Sequence, residues 1–555
     1  MLPTTKKILE KIEEYPLSLP QFLLAFSALI ALRVLGENLI SGLKSHSPEF
    51  LVGSFLAAWL FFLFSIILLI LFLSAYLGES FQKIANLLIW GFFLVVTPPI
   101  LDKYFCGAQR CWSFYAFDSL AGLGKRFLTF FGSDPVVGIT YGVRIEVALA
   151  VIFLILYIFL KTRNALKAFL GGFLSYAILF LFGSFPSWLT FLFLAPQKSM
   201  FQIEGLDVAG LFLSPIHYFS YSGTEILNAL NAKMNLIYAF LVVFAAIALF
   251  YFFSKEKFFA VLKNIRWIQI LIHAGLVLFG AGLGAFYFPA NIPDLRGQPL
   301  ADNIFSFFAL SNLILAAVFA WLASVFLNDI VDLDIDKITN KNRPTATGEV
   351  STGEYQHYFL ASFLLSLVLS LTVGVKFLLL ILVYQVIGWV YSCWPFRLKR
   401  FPIVAGFLSA LALVLLFSGG FILLADNQDI SLLPSKVFWL LIIAFMISLP
   451  IKDLKDIESD KKYGIWTIPV LLGETWARFS IGLGIFIAYA LSVVWLNAKI
   501  LFFPAMILGA VSFWILQNKK ISARRVHIFV FGILFLYVAL MTYFLFWPLV
   551  RFSLR

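Results

Sequence analysis

Apolar runs long enough to cross a bilayer as helices recur along almost the whole chain. A spanning helix needs about 20 residues. Runs of that order occupy about 20–42, 50–77, 84–101, 143–160, 168–195 and 236–253. A charged segment, Ser254-Lys255-Glu256-Lys257 continuing to Lys263 and Arg266, then interrupts the pattern. Nine further runs follow, at about 267–289, 304–327, 355–373, 375–394, 401–425, 435–451, 477–496, 499–516 and 526–549. The pattern predicts two domains, a multi-span membrane domain over 1–255 and a second over 256–555. In the first run Arg33 and Glu37 stand four apart, so on one helix face each neutralises the other. Ahead of that run, Lys6 to Tyr15 reads as a short surface helix. The connections 102–142 and 196–235 are long, and their aromatic pieces, such as Phe127-Leu128-Thr129-Phe130-Phe131, read as interfacial or re-entrant segments.

Composition agrees with the pattern. Hydrophobic residues make up 62% and charged residues 13%, against about half and about a quarter in soluble domains. The net charge of +12 does not point to nucleic acid, because the basic residues recur in short loops instead of forming one patch. If the 254–266 segment is cytoplasmic, the loops on its side of the second half carry nineteen Lys and Arg, against four (Arg296, Lys376, Lys436, Lys499) on the other side. That asymmetry sets the orientation. The start of the chain is mixed-charge and has no small-residue cleavage site after it, so no cleavable signal peptide is expected. The setting implied is a multi-pass protein of a prokaryotic plasma membrane, with the lipid bilayer as its surroundings. Cys106 and Cys111 lie close together in a loop expected outside, as a disulfide or as two thiols, while Cys393 stands alone.

Two stretches concentrate the acids. In Asn328-Asp329-Ile330-Val331-Asp332-Leu333-Asp334-Ile335-Asp336, residues Asn328, Asp332 and Asp336 recur every fourth position, one stripe on a helix. In Asp453-Leu454-Lys455-Asp456-Ile457-Glu458-Ser459-Asp460, the residues Asp456 and Asp460 continue a stripe from Lys452. Both fall at the predicted cytoplasmic ends of helices. Facing each other, they would make a strongly negative hollow whose carboxylates need cations. Mg²⁺ fits, because it takes hard oxygen ligands and keeps places for substrate phosphate. Solvated loop acids are the plain alternative for either stretch alone, but two stretches with the same spacing on one face favour a site. Asp334 and Glu458 lie off the stripes and read as solvated. The glycine turn of a calcium loop is absent.

These residues carry a resemblance. Asn328-Asp329-x-x-Asp332-x-x-x-Asp336, followed by Asn342-Arg343-Pro344 and Gly348, resembles the first signature of the UbiA superfamily of intramembrane prenyltransferases. Lys452-Asp453-x-x-Asp456-x-x-x-Asp460, then Gly464-Ile465-x-Thr467-x-Pro469 and Gly473, is similar to the second. Tyr391-Ser392 with Lys399-Arg400 resembles the family's basic loop. The likeness covers about 264–550 and leaves 1–255 unrecognised. It implies an all-α polytopic membrane protein, a nine-helix prenyltransferase bundle preceded by about six additional spans. It implies two Mg²⁺ ions held by Asn328, Asp332, Asp336, Asp456 and Asp460, with Asp453 in support. Asp329, Asp332 and Asp456 would carry catalysis. Arg343, Lys399, Lys452 and Tyr391 would contact the diphosphate of a polyprenyl donor. The partner molecules expected are that donor and a small-molecule acceptor, aromatic or of glycerol-phosphate type.

Other readings remain open from sequence. The same fold serves transfer of phosphoribose to polyprenyl phosphate. From a different class, a transporter would line an ion path with acids, although such acids usually lie near mid-membrane at broken helices. The first half reads as a possible scaffold. Gly280, Gly282, Gly284 and the pair Gly419-Gly420 read as close helix packing. His273 reads as a hydrogen-bonded core histidine.

Overall fold

The computed structural model describes residues 3–40, 48–106, 115–132, 139–194, 198–223, 226–292, 300–455, 457–462 and 464–553. Nearly all of them are helical, and two three-residue strands, Ile216–Tyr218 and Tyr221–Gly223, are the only β structure among the described residues. Fourteen helices are long and apolar enough to cross a membrane, six ending by Phe253 and eight beginning with Trp267–Tyr287. A shorter apolar helix, Arg525–Met541, lies within Ala523–Ser553. The protein is an all-α polytopic membrane protein. Cys111 and the side chain of Cys106 fall outside the described residues, and Cys393 is a buried free thiol.

The chain divides into two compact units. The first runs to Phe258, apart from Phe219–Tyr221, and takes in the stretch ending at Phe308. The second holds Phe219–Tyr221, Phe259–Pro293 and everything from Ala309 on.

In the first unit one expected span differs from the sequence reading. The run at 168–195 is two helices, Ala165–Gly183 and Phe185–Leu194. They break at Ser184, whose hydroxyl donates to the Phe180 carbonyl (2.7 Å). Pro186 has no amide to donate and cannot continue the first helix. The run at 84–101 lies, as expected, within one span, Phe81–Phe105, which tightens into a 3₁₀ turn at Phe92–Val96 just ahead of Pro98 and Pro99. The first helix, Pro3–Glu13, is tied down at its end. Glu13, 3% exposed, accepts from the Tyr157 hydroxyl (3.0 Å) and from Lys161 Nζ (2.8 Å). The aromatics of the run Phe127–Phe131 pack on this unit's core, while Leu128 between them is 85% exposed. Phe127 stacks on Tyr176 (4.9 Å), and Phe131, buried, packs on Phe180 (5.0 Å). Arg33 and Glu37 pair as their spacing predicts, at 3.1 Å.

In the second unit two helices meet backbone to backbone. A Cβ on Gly280 would overlap the Phe417 carbonyl, and one on Gly420 the Val277 carbonyl. Trp267–Tyr287 and Pro402–Leu424 therefore approach as closely as only glycine permits, a common use of small residues between membrane helices. Gly419 meets only ordinary side-chain contacts. The helix expected at 477–496 begins earlier, at Ile468, and kinks at Gly473, whose φ of 76° is the left-handed region.

Candidate active site

The first acidic stretch lies where Leu300–Val331 hands over to Leu333–Thr339. Asp332 at the junction has φ −96° and ψ 14°, yet the i to i−4 bonding continues. The Asp332 amide donates to the Asn328 carbonyl (2.9 Å) and the Asp336 amide to the Asp332 carbonyl (2.8 Å). Helical register thus survives the junction and keeps Asn328, Asp332 and Asp336 on one stripe. Asp334 is 96% exposed and pairs only locally with Lys337 (3.2 Å).

The other three carboxylates of the stretch, Asp329, Asp332 and Asp336, are each buried against a cation. Asp329 is 0% exposed. Arg343 donates to it at 2.7 Å and also to Asp336, so a single guanidinium bridges the two. Asn264 donates to Asp329 (3.1 Å), and Arg266 lies 3.7 Å away. Asn340 donates to Asp336 at 2.9 Å. Asp332 accepts from Arg397 (2.9 Å) and from Lys399, which also reaches Asn328 Oδ1 at 3.3 Å. Ser392 donates to the same Asn328 oxygen at 3.3 Å. Burial pushes the Asp336 carboxyl above its ordinary pKa against the pull of Arg343, and pushes the Lys399 ammonium below its own against the pull of Asp332. Both shifts mark a site dry enough to resist uncompensated charge.

The second stretch takes a different backbone from the one expected. Leu449–Lys455 is a 3₁₀ segment followed by the helix Ile457–Lys462, so a four-residue stripe does not run from Lys452. Pro450, with no amide to donate, lies inside the change of helix type. Lys452 nevertheless reaches the site: its ammonium lies 5.7 Å over the Tyr391 ring, and Arg266 and Asp453 act on its charge. Asp460 accepts from Thr467 at 3.4 Å. Asp456 lies outside the described residues.

The structure therefore gathers Asn328, Asp329, Asp332 and Asp336 with Arg343 and Lys399, and brings Lys452 to Tyr391. Three participants were not singled out from sequence. Arg397 stood only as a loop charge, Arg266 as a helix start and Asn264 not at all. The signal available was that buried acids need partners and that Arg397 lies two residues from Lys399. Among the described residues no three His, Cys, Asp or Glu side chains come together as a metal cluster. The donor set itself suits Mg²⁺: Asn328 Oδ1 and the carboxylates are hard oxygens within one patch. His273 is a core residue, bonded to the Gln269 carbonyl (2.6 Å) and the Tyr384 hydroxyl (2.9 Å).

Residues 299–525 match the model of the UbiA prenyltransferase family. The N-terminal half matches no family model. Similar proteins bear prenyltransferase names. The chain is 28% identical over 228 residues to the homogentisate phytyltransferase of Synechocystis sp., covering 37% of this chain and 73% of that one. It is 28% identical over 189 residues to the digeranylgeranylglyceryl phosphate synthase of Pyrococcus abyssi, covering 33% and 65%. Among solved structures, a UbiA homologue from Archaeoglobus fulgidus bound to DMAPP and Mg²⁺ aligns at 20% identity with a TM-score of 0.38, over 51% of this chain and 96% of that one. The UbiA match thus takes in the first acidic stretch, the basic loop at Arg397 and Lys399, and the second acidic stretch.

Proposed function

We propose that residues 256–555 are an Mg²⁺-dependent prenyltransferase. It moves an isoprenyl chain from a polyprenyl diphosphate to an aromatic or glycerol-phosphate-type acceptor at the cytoplasmic face. Residues 1–255 would be an accessory membrane domain. The observation that carries the reading is the buried stripe Asn328, Asp332, Asp336 with every carboxylate held by a cation. The pairs are exchangeable. Where metal and diphosphate enter together, the carboxylates release their cations, and Arg343, Lys399 and Arg397 turn to phosphate oxygens. Arg is suited to that role by its planar fork of donors. Asn328, Asp332, Asp336, Asp456 and Asp460 would hold Mg²⁺, which when bound would supply positive charge to the departing diphosphate. Before that turn Asp329 would orient Arg343, Asp453 would support Lys452, and Lys452 with Tyr391 would close the anion side.

An apolar cavity of about 160 Å³ in the second unit suits the prenyl chain. Its walls include Phe279, Phe417 and Tyr537, and it reaches Ile451, the neighbour of Lys452. The relatives' names supply the two acceptor classes, homogentisate and a prenylglyceryl phosphate.

The test is incubation of the purified chain with a labelled prenyl diphosphate, Mg²⁺ and each acceptor in turn, with products read by mass spectrometry. The expected result is a prenylated acceptor whose formation needs Mg²⁺. Ion flux in proteoliposomes with no prenylated product would instead favour a transporter.

A further inference from the structure

A cavity of about 270 Å³ in the first unit is lined by Arg33, Glu37, Asn38 and Glu146 among mostly apolar residues. These residues belong to helices long and apolar enough to span the membrane. Ionisable groups at such depth are costly and are kept where they are paired or used. Arg33 donates through Nε to Glu37 Oε1 (3.1 Å) and through Nη1 to Glu146 Oε2 (2.9 Å) and the Val95 carbonyl (3.1 Å). Its guanidinium also lies 5.3 Å over the Phe62 ring.

One cation does not balance this site. Among the described residues two carboxylates pair with Arg33, Glu37 at 3.1 Å and Glu146 at 2.9 Å. Acceptors are also left over. Among the described residues Glu37 Oε2 and Glu146 Oε1 accept no hydrogen bond, each glutamate meeting Arg33 through its other oxygen. Asn38 Oδ1 is buried without a partner, its amide being spent on the Val34 carbonyl (2.8 Å). Glu146 is 9% exposed, and the Glu37 side chain 26%. Water in the cavity would answer the acceptors but not the charge. The lining also holds the aromatic side chains of Phe61, Phe92, Phe153 and Tyr115.

Three unfilled acceptors, an excess of negative charge and aromatic side chains in the lining describe one chemical class. We infer that this cavity binds an amphipathic primary amine, with its ammonium group donating to Glu37, Asn38 and Glu146 and its hydrocarbon body against the aromatic side chains. A protonated amine has three N–H donors, one for each acceptor, and aromatic faces attract a cation. The site lies in the unit that the prenyltransferase reading leaves without a task, and it does not depend on that reading.

The probe is 2-phenylethylammonium, with propylbenzene as its neutral isostere, in equilibrium dialysis against the full-length protein in detergent. Saturable binding that propylbenzene does not displace is expected. Glu146→Gln should weaken it by about tenfold or more, the scale of one lost charge-assisted hydrogen bond. Glutamine at that position can still accept from Arg33. Absence of saturable binding, equal displacement by propylbenzene, or unchanged affinity in Glu146→Gln would each overturn the inference. The first and second of these need no variant. Displacement of the probe by phosphatidylethanolamine but not by phosphatidylcholine would assign the amine to a lipid headgroup. Displacement by neither would assign it to a small amine.

Discussion

Asp332 holds two cations, Arg397 and Lys399, and is itself buried. Replacing it with asparagine keeps the shape but removes the charge that both a metal and these cations need. Asp332→Asn is expected to lower turnover by about 100-fold or more, the scale of a lost transition-state electrostatic contact, while far-ultraviolet circular dichroism keeps its helical signal. Asp334→Ala, at a position 96% exposed, should leave turnover unchanged. Equal rates in the two variants would remove Asp332 from the site. The contrast between these two aspartates was legible in the sequence, because the four-residue spacing survives the helix junction intact. Arg397 was not legible. It meets Asp332 across 65 positions of chain, and its backbone takes a left-handed φ of 43°, which no spacing rule announces. Such a conformation costs a non-glycine residue about 1–2 kcal/mol, and the buried ion pair with Asp332 holds it there.

Among the elements, length and apolar content placed the spans well, but proline decided where one of them breaks. The run at 168–195 reads as one span because hydropathy averages over Pro186, whereas 84–101 does lie in a single span, Phe81–Phe105. The second acidic stretch was misread for a related reason. A stripe at every fourth position presumes 3.6 residues per turn, whereas Leu449–Lys455 winds as a 3₁₀ helix with about 3. The glycines of Trp267–Tyr287 were read as packing residues, and Gly280 and Gly420 do pack backbone against backbone. Neither backbone can yield to a side chain, so Gly280→Leu or Gly420→Leu is expected to destabilise the second unit by at least about 2 kcal/mol. The measurement is the loss of monodisperse protein on heating in detergent. Gly419→Ala, with room around its Cβ, should behave as the parent chain.

For the whole molecule, the charge distribution carries a topological prediction. Nineteen Lys and Arg in the loops on one side of the second half, against four on the other, predict that the acidic stretches lie at the cytoplasmic surface. A cysteine placed at the exposed position of Asp334, in a background with Cys106 and Cys111 replaced by serine, should react with a membrane-impermeant maleimide in inside-out vesicles and not in intact cells. Cys393 is buried and should stay silent in both. Labelling from the outside would reverse the orientation. The sequence was least informative about the first unit, because its buried charges come from distant stretches. Arg33 meets Glu146 across 113 positions, and Glu13 meets Lys161 across 148.

The bridge from Arg343 to both Asp329 and Asp336 has a thermodynamic consequence. While that guanidinium stays in place, two carboxylates are withheld from any cation in solution. An anion that draws it away frees both at once. Metal and diphosphate then compete with the same internal clasp, so each lowers the work the other must do. Reciprocity makes the enhancement equal in both directions. Titrating Mg²⁺ with and without inorganic pyrophosphate should give a tighter apparent metal affinity in its presence, after correction for the metal–pyrophosphate complex formed in solution. Arg343→Gln should flatten the difference by opening the clasp in advance. The resting enzyme would thus be its own metal excluder, indifferent to magnesium until the substrate arrives.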